Sequence, residues 1–98
     1  VNQFQIDAAI AEREAIRYTP AGIPIVSARL QHSSQQTEAG ISRLVKFEIA
    51  AVAAGEISGR FAQAELDTAY RFNGFMARKN RNSRSLVFHI TDFARINT

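Results

Sequence analysis

The stretch Gly55–Glu65, "GEISGRFAQAE", is the one place where the chain reads as a helix between segments that read as strands. Ile57, Phe61 and Ala64 fall on one helical face. Ser58 stands as a candidate cap, and Gly59 works against a longer helix because glycine loses the most backbone freedom on ordering. A short helix covering one end of a sheet follows. Its meaning depends on how many strands lie on each side.

Immediately before it, Val45, Phe47 and Ile49 alternate with Leu44, Lys46 and Glu48, a half-buried strand. Upstream, the polar stretch "HSSQQTEAG" (32–40) ends in glycine and reads as a loop. Before that loop, Val26, Ala28 and Leu30 alternate with Ile25, Ser27, Arg29 and Gln31, a second strand in hairpin with the first. "RYTPAGIPI" (17–25) is a tight connection, since Pro20 presets φ and Gly22 tolerates positive φ. The N-terminal stretch "NQFQIDAAIAEREAI" supports two readings. Phe4, Ile6, Ala8 and Ile10 alternate as in a strand, while Ala8 through Ala15 is rich in helix formers without a breaker.

After the helix, "DTAYRFNGFMAR" places Tyr70, Phe72 and Met76 on one face and Arg71, Asn73, Phe75 and Ala77 on the other. The basic run "RKNRNSRS" (78–85) follows, and Leu86, Phe88 and Ile90 begin a last strand. With the first segment taken as a strand, the order is three strands, a helix and two strands. That is the layout of an all-β OB fold, a five-stranded Greek-key barrel with a short helix between its third and fourth strands. Such a barrel binds oligonucleotides on its second and third strands and on the loops joining strands 1–2 and 4–5. The basic run occupies the loop between the fourth and fifth strands.

Composition agrees with one small globular domain spanning residues 1–98. The chain has 46% hydrophobic and 21% charged residues, no cysteine and a formal charge of +3. The missing cysteines exclude a disulfide framework and thiolate metal sites. No stretch approaches the ~20 apolar residues of a membrane span, and Val1–Gln5 lacks the basic start of a signal peptide. A soluble protein of a reducing compartment is expected. Charge distribution says more than net charge, because no Asp or Glu occurs from Thr68 to Thr91.

The motifs "RYTPAGIPI", "LQHSSQQTEAG" and "YRFNGFMARKN", in this order and spacing, resemble the primosomal replication protein N family. The resemblance runs from about Asn2 to Phe93 and extends to the related bacterial single-stranded DNA-binding proteins, which share the "RYTP" loop. It implies a long first strand, overriding helix propensity in the N-terminal stretch. It also implies a homodimeric bacterial cytoplasmic protein that binds single-stranded DNA without strong sequence preference. The implied protein partners are the PriA helicase and other primosome proteins (DnaT and the single-stranded DNA-binding protein SSB). Single-stranded DNA-binding proteins continue into a long tail with an acidic tip; if this chain is complete at Thr98, the primosomal branch is expected, and the "HSSQQTEAG" stretch resembles that branch too.

Binding a strand without reading its sequence takes cations that track phosphates and flat rings on which any base stacks. Arg78, Lys79, Arg81 and Arg84 supply charge on one loop, with Asn and Ser neighbours as further phosphate contacts. Phe75 is the candidate stacking ring; its alternative role is to cover an apolar patch or a dimer contact. Arg71 shares its face, Arg43 leads into the third strand, and Arg17 approaches from the first loop. Lys46 stands where some family members carry a stacking tryptophan, a departure that shifts weight from aromatic stacking to charge.

Nothing local supports catalysis. No GxxxxGK[ST], GxGxxG or GxSxG motif occurs, so no enzyme activity and no cofactor are expected. His32 and His89 lack metal-site spacing and read as structural hydrogen-bonding residues. Two rival functions remain: a short protein that coats and protects single strands, and an OB domain whose basic loop meets an acidic protein partner.

Overall fold

The structure, a computed structural model, describes residues 1–96. Its elements are β1 (Phe4–Arg13), β2 (Arg17–Tyr18), β3 (Pro24–Glu38), β4 (Ile41–Ala54), α1 (Ile57–Ala62), β5 (Ala69–Arg78) and β6 (Leu86–Arg95). The sheet order is β1-β5-β6-β4-β3-β2, and β1 also pairs with β3, which closes β1, β3, β4, β5 and β6 into a barrel. This is the OB layout, with the two-residue β2 folded back on the start of β3 in the first loop. The N-terminal stretch is strand from Phe4 to Arg13, with no helix in it.

β1 serves both ends of the closure. Phe4–Ala9 pairs with β5 and Ala9–Arg13 with β3, and the register slips between Ile10 and Glu12. That bulge gives the bend a single strand needs to reach two neighbours. The inward residues Ile10, Val26, Leu30, Phe72 and Phe88 are almost wholly buried. α1 covers one end by inserting Phe61, which meets Phe72 and Phe93 edge-on at 6.2 and 5.7 Å. Arg13 donates to the carbonyls of Phe61 and Ala64, tying the end of the helix and the residues after it to β1. Ser58 is not the cap: it is buried inside the first turn, where its hydroxyl donates to the Gly55 carbonyl, and the capping position belongs to Glu56.

One expectation is overturned outright. Residues 32–38 are strand, not loop, and the hairpin turns only at Ala39 and Gly40, both at positive φ (54° and 76°) as a two-residue type I′ turn requires. Pairing runs unbroken from Ile25↔Ala54 to Glu38↔Ile41. Beyond Gln31, β3 has only β4 as a ladder partner among the described residues, so the hairpin projects from the barrel as an arm and the molecule measures 50 × 35 × 24 Å. With most of that arm exposed, its β3 half needs no apolar alternation, which is why it reads as loop.

Candidate nucleic-acid interface

Strand alternation and register build the site. Cross-strand partners Ser27↔Val52, Val52↔His89 and His89↔Phe75 form one row across β3, β4, β6 and β5. Each lies opposite its strand's core-facing residues, so the row is on the outer surface of the barrel. Arg29 and Ala50 form the next pair along β3 and β4. Around them lies a depression of about 800 Å³. Glu12 borders it from β1, Glu14 and Arg17 from the first loop, and Lys79, Ser85 and Leu86 from the β5–β6 hairpin. A second depression of about 780 Å³ lies on the other side of His89, between Phe75 and the helix residues Ile57 and Arg60. Phe75 and His89 stack nearly parallel at 4.8 Å and 7° between the two.

A glycine makes this row possible. Gly74 lies at a register slip between Asn73 and Gly74, and a Cβ there would run into the backbone carbonyl of His89. Only a residue without Cβ lets β6 approach β5 so closely. The slip brings Phe75 directly opposite His89.

The basic hairpin end is ordered by its own small polar residues. Lys79 N–H donates to the Ser85 carbonyl (2.9 Å), Asn82 N–H to Asn80 Oδ1 (2.9 Å) and Ser85 N–H to Ser83 Oγ (3.0 Å). Asn80 and Ser83 thus hold the loop backbone, with these acceptor atoms turned to it instead of to a ligand. Among the described residues, Arg78, Lys79, Arg81 and Arg84 take no ion-pair partner, and neither do Arg17, Arg29 and Lys46. Arg17 reaches the floor, donating to Ser27 Oγ at 3.3 Å.

The nine nominated residues do not form one cluster. Arg17 and Lys79 line the first depression, Phe75 lines the second, Arg78 ends β5, and Arg81 and Arg84 lie in the loop itself. Lys46 lies on the same face of β4 as Ala50 and Val52, extending the floor onto the arm. Arg43 takes the opposite face, three residues away in a period-two strand, and is bound to Glu38 at 2.7 Å. Arg71 sits far along β5 from the loop, seven residues or roughly 23 Å at strand rise. Its guanidinium grips Asp7 with two hydrogen bonds of 2.7 and 2.9 Å, which hold the Asp7 carboxyl below the usual carboxylate range and raise Arg71 above its own.

Two groove residues were not nominated. Arg29 was legible as a cation opposite Val26, Ala28 and Leu30, but a lone arginine on an outer strand face is ordinary. His89 was read as a structural hydrogen-bonder, a description that fits only His32. His32 bonds the Asp7 carbonyl and Ser34 Oγ at 2.7 Å each, whereas the His89 side chain has no hydrogen bond among the described residues. Among the same residues, no His, Cys, Asp and Glu cluster suits a metal ion, and no helix is long and apolar enough to cross a membrane.

Comparisons with known proteins converge on the same fold. A family model described as another single-strand binding protein family matches residues 2–92. The replication restart protein PriB of Nitrosomonas europaea is 40% identical over 91 residues, covering 93% of this chain and 84% of that protein. The solved structure of PriB from Ralstonia solanacearum superposes with a TM-score of 0.90 at 39% identity, covering 99% of both chains. A single-stranded DNA-binding domain from Synechococcus shares the fold at a TM-score of 0.73 and 13% identity, over 97% of this chain and 96% of that one.

Proposed function

The chain belongs to the family of the replication restart protein PriB, and from that premise we propose that it binds single-stranded DNA without reading its sequence, as an accessory protein of replication restart. The observation that carries this reading is the outer row Ser27–Val52–His89–Phe75, with unpaired cations on both of its flanks. Small and apolar floor residues leave room for bases but offer few groups to read their edges. Phosphates would meet Arg17 and Arg29 near the first loop and Lys79, with Arg78, Arg81 and Arg84, at the hairpin end. Lys46 would continue the track along the arm. Phe75 offers a ring to a base, as non-specific single-strand binders require. Arg43 and Arg71 enter this reading as secondary contacts, because each must exchange a carboxylate partner for a phosphate.

The protein is proposed to act beside the PriA helicase, with DnaT and SSB as further partners, by keeping exposed strand and helicase together and so raising the effective concentration of one for the other. A homodimer is part of the same reading. β1 pairs with β3 only from Ala9 onward, so among the described residues the Phe4–Ala8 edge has no strand neighbour on that side. An open edge of this kind is a ready template for a second copy.

The test is binding of oligo-dT and of mixed-sequence oligonucleotides at low salt, with the solution mass measured alongside. Affinities within a few-fold of each other and a mass about twice 10.9 kDa are expected. A tetramer mass would favour a strand-protecting protein. Failure of oligo-dT to compete with a bound acidic protein would favour an interaction module. No binding to any single strand would overturn the proposal.

A further inference from the structure

We infer that His89 is a contact residue for the bound strand, adding a positive charge at the centre of the groove when its imidazole is protonated. The inference rests on the single-strand reading above. Four observations carry it. His89 is at the centre of the outer row, touching both depressions, so a strand passing from one to the other crosses it. Its ring is half-buried and held flat by the parallel stack on Phe75 at 4.8 Å, which fixes its plane without using its nitrogens. No described residue hydrogen-bonds those nitrogens, in contrast to His32, whose two nitrogens are both engaged. And Gly74, by admitting the His89 carbonyl, sets this part of β6 tightly against β5.

The charged groups around the ring line the two depressions on either side of it. On the first side, β3 contributes Arg29, the hairpin loop Lys79, β1 Glu12 and Arg13, and the first loop Glu14 and Arg17. On the helix side stand Glu56 and Arg60, with Asp92 on β6 itself; Arg60 and Asp92 are bound to each other at 2.6 Å. A phosphate chain laid in the groove beside the ring favours its charged form. Strand binding therefore takes up a proton, and affinity must rise as pH falls through the range where histidine side chains change charge. An imidazolium flat on Phe75 also gains from the ring's negative face.

The experiment measures the affinity of a short oligo-dT for the full chain between about pH 8 and pH 5.5 at constant ionic strength. It uses wild type, His89→Gln and His89→Lys, with thermal melting confirming that each variant is folded. Wild type is expected to tighten about three- to tenfold across this range, as one added charge-assisted contact would give. His89→Gln should change less than about twofold. His89→Lys should bind tightly at both ends, because its charge does not depend on pH there. The wild-type salt slope should also be steeper at pH 5.5 by about 0.7, the value for one further single-strand phosphate contact. Identical pH profiles for wild type and His89→Gln would overturn the role of His89. Loss of all oligonucleotide binding at every pH in wild type would instead overturn the single-strand reading beneath it.

Discussion

Gly74 and Phe75 show how adjacent residues set the geometry of one site. Because a Cβ on Gly74 would meet backbone, and backbone cannot swing aside as a flexible side chain can, Gly74→Ala should destabilise the fold by about 2–3 kcal/mol, measured by chemical denaturation. The same variant should disturb the Phe75–His89 stack. Phe75→Ala tests the ring itself: a cost of about 1–3 kcal/mol in single-strand affinity is expected if a base stacks there, and full retention would assign Phe75 to packing over His89. The face assignment of Phe75 was legible from alternation alone, because Tyr70 and Phe72 mark the core side. Parity likewise separates Arg43 from Lys46. The pairing of Arg71 with Asp7 was not legible, since the partners are 64 residues apart and meet only through the β1–β5 register.

The two hairpins illustrate opposite limits of local reading. In the β5–β6 hairpin, apolar alternation on both sides of a basic run marked the strands and the loop between them. In the β3–β4 hairpin, β4 carried the signal and the outer half of β3 did not. "HSSQQTE" is strand because "ISRLVKF" pairs with it residue by residue, a cause lying in the partner and not in the segment. Only the turn left a trace, Gly40, and its neighbour Ala39 adopts positive φ against its own preference. At this scale we propose that the ligand chemistry belongs to the loop. Its backbone is held by Asn80 and Ser83, so replacing Lys79 or Arg81 with Ala should leave the loop folded. Each replacement should weaken binding to all sequences about equally and reduce the salt slope by about 0.7. A change confined to one base composition would contradict that assignment.

Across the whole molecule, the order of strands and the position of one helix were enough to identify the barrel. Its closure was not visible, because β1 reaches β3 and β5 through a bulge that leaves no local pattern. Ion pairs across elements add a pH dependence to the fold. Asp7 is held below its usual 3.8 by hydrogen bonds from Arg71, and Asp92 by Arg60 and by the Phe93 N–H. A depressed carboxylate contributes stability above its unfolded value and loses it as pH falls through the folded one. The melting temperature should therefore be level above about pH 5 and fall below about pH 3.8, with a shallower fall in Asp7→Asn. Both pairs are exposed, so the effect should shrink in high salt.

The central claim is that unpaired cations around the groove hold the phosphates of a single strand. Its most direct test is an oligo-dT titration of the wild-type protein across a salt series. Contact with about three to five phosphates per protomer predicts that log K falls against log[salt] with a slope between about −2 and −3.5. An affinity that does not change with salt, or no binding at low salt, would contradict it.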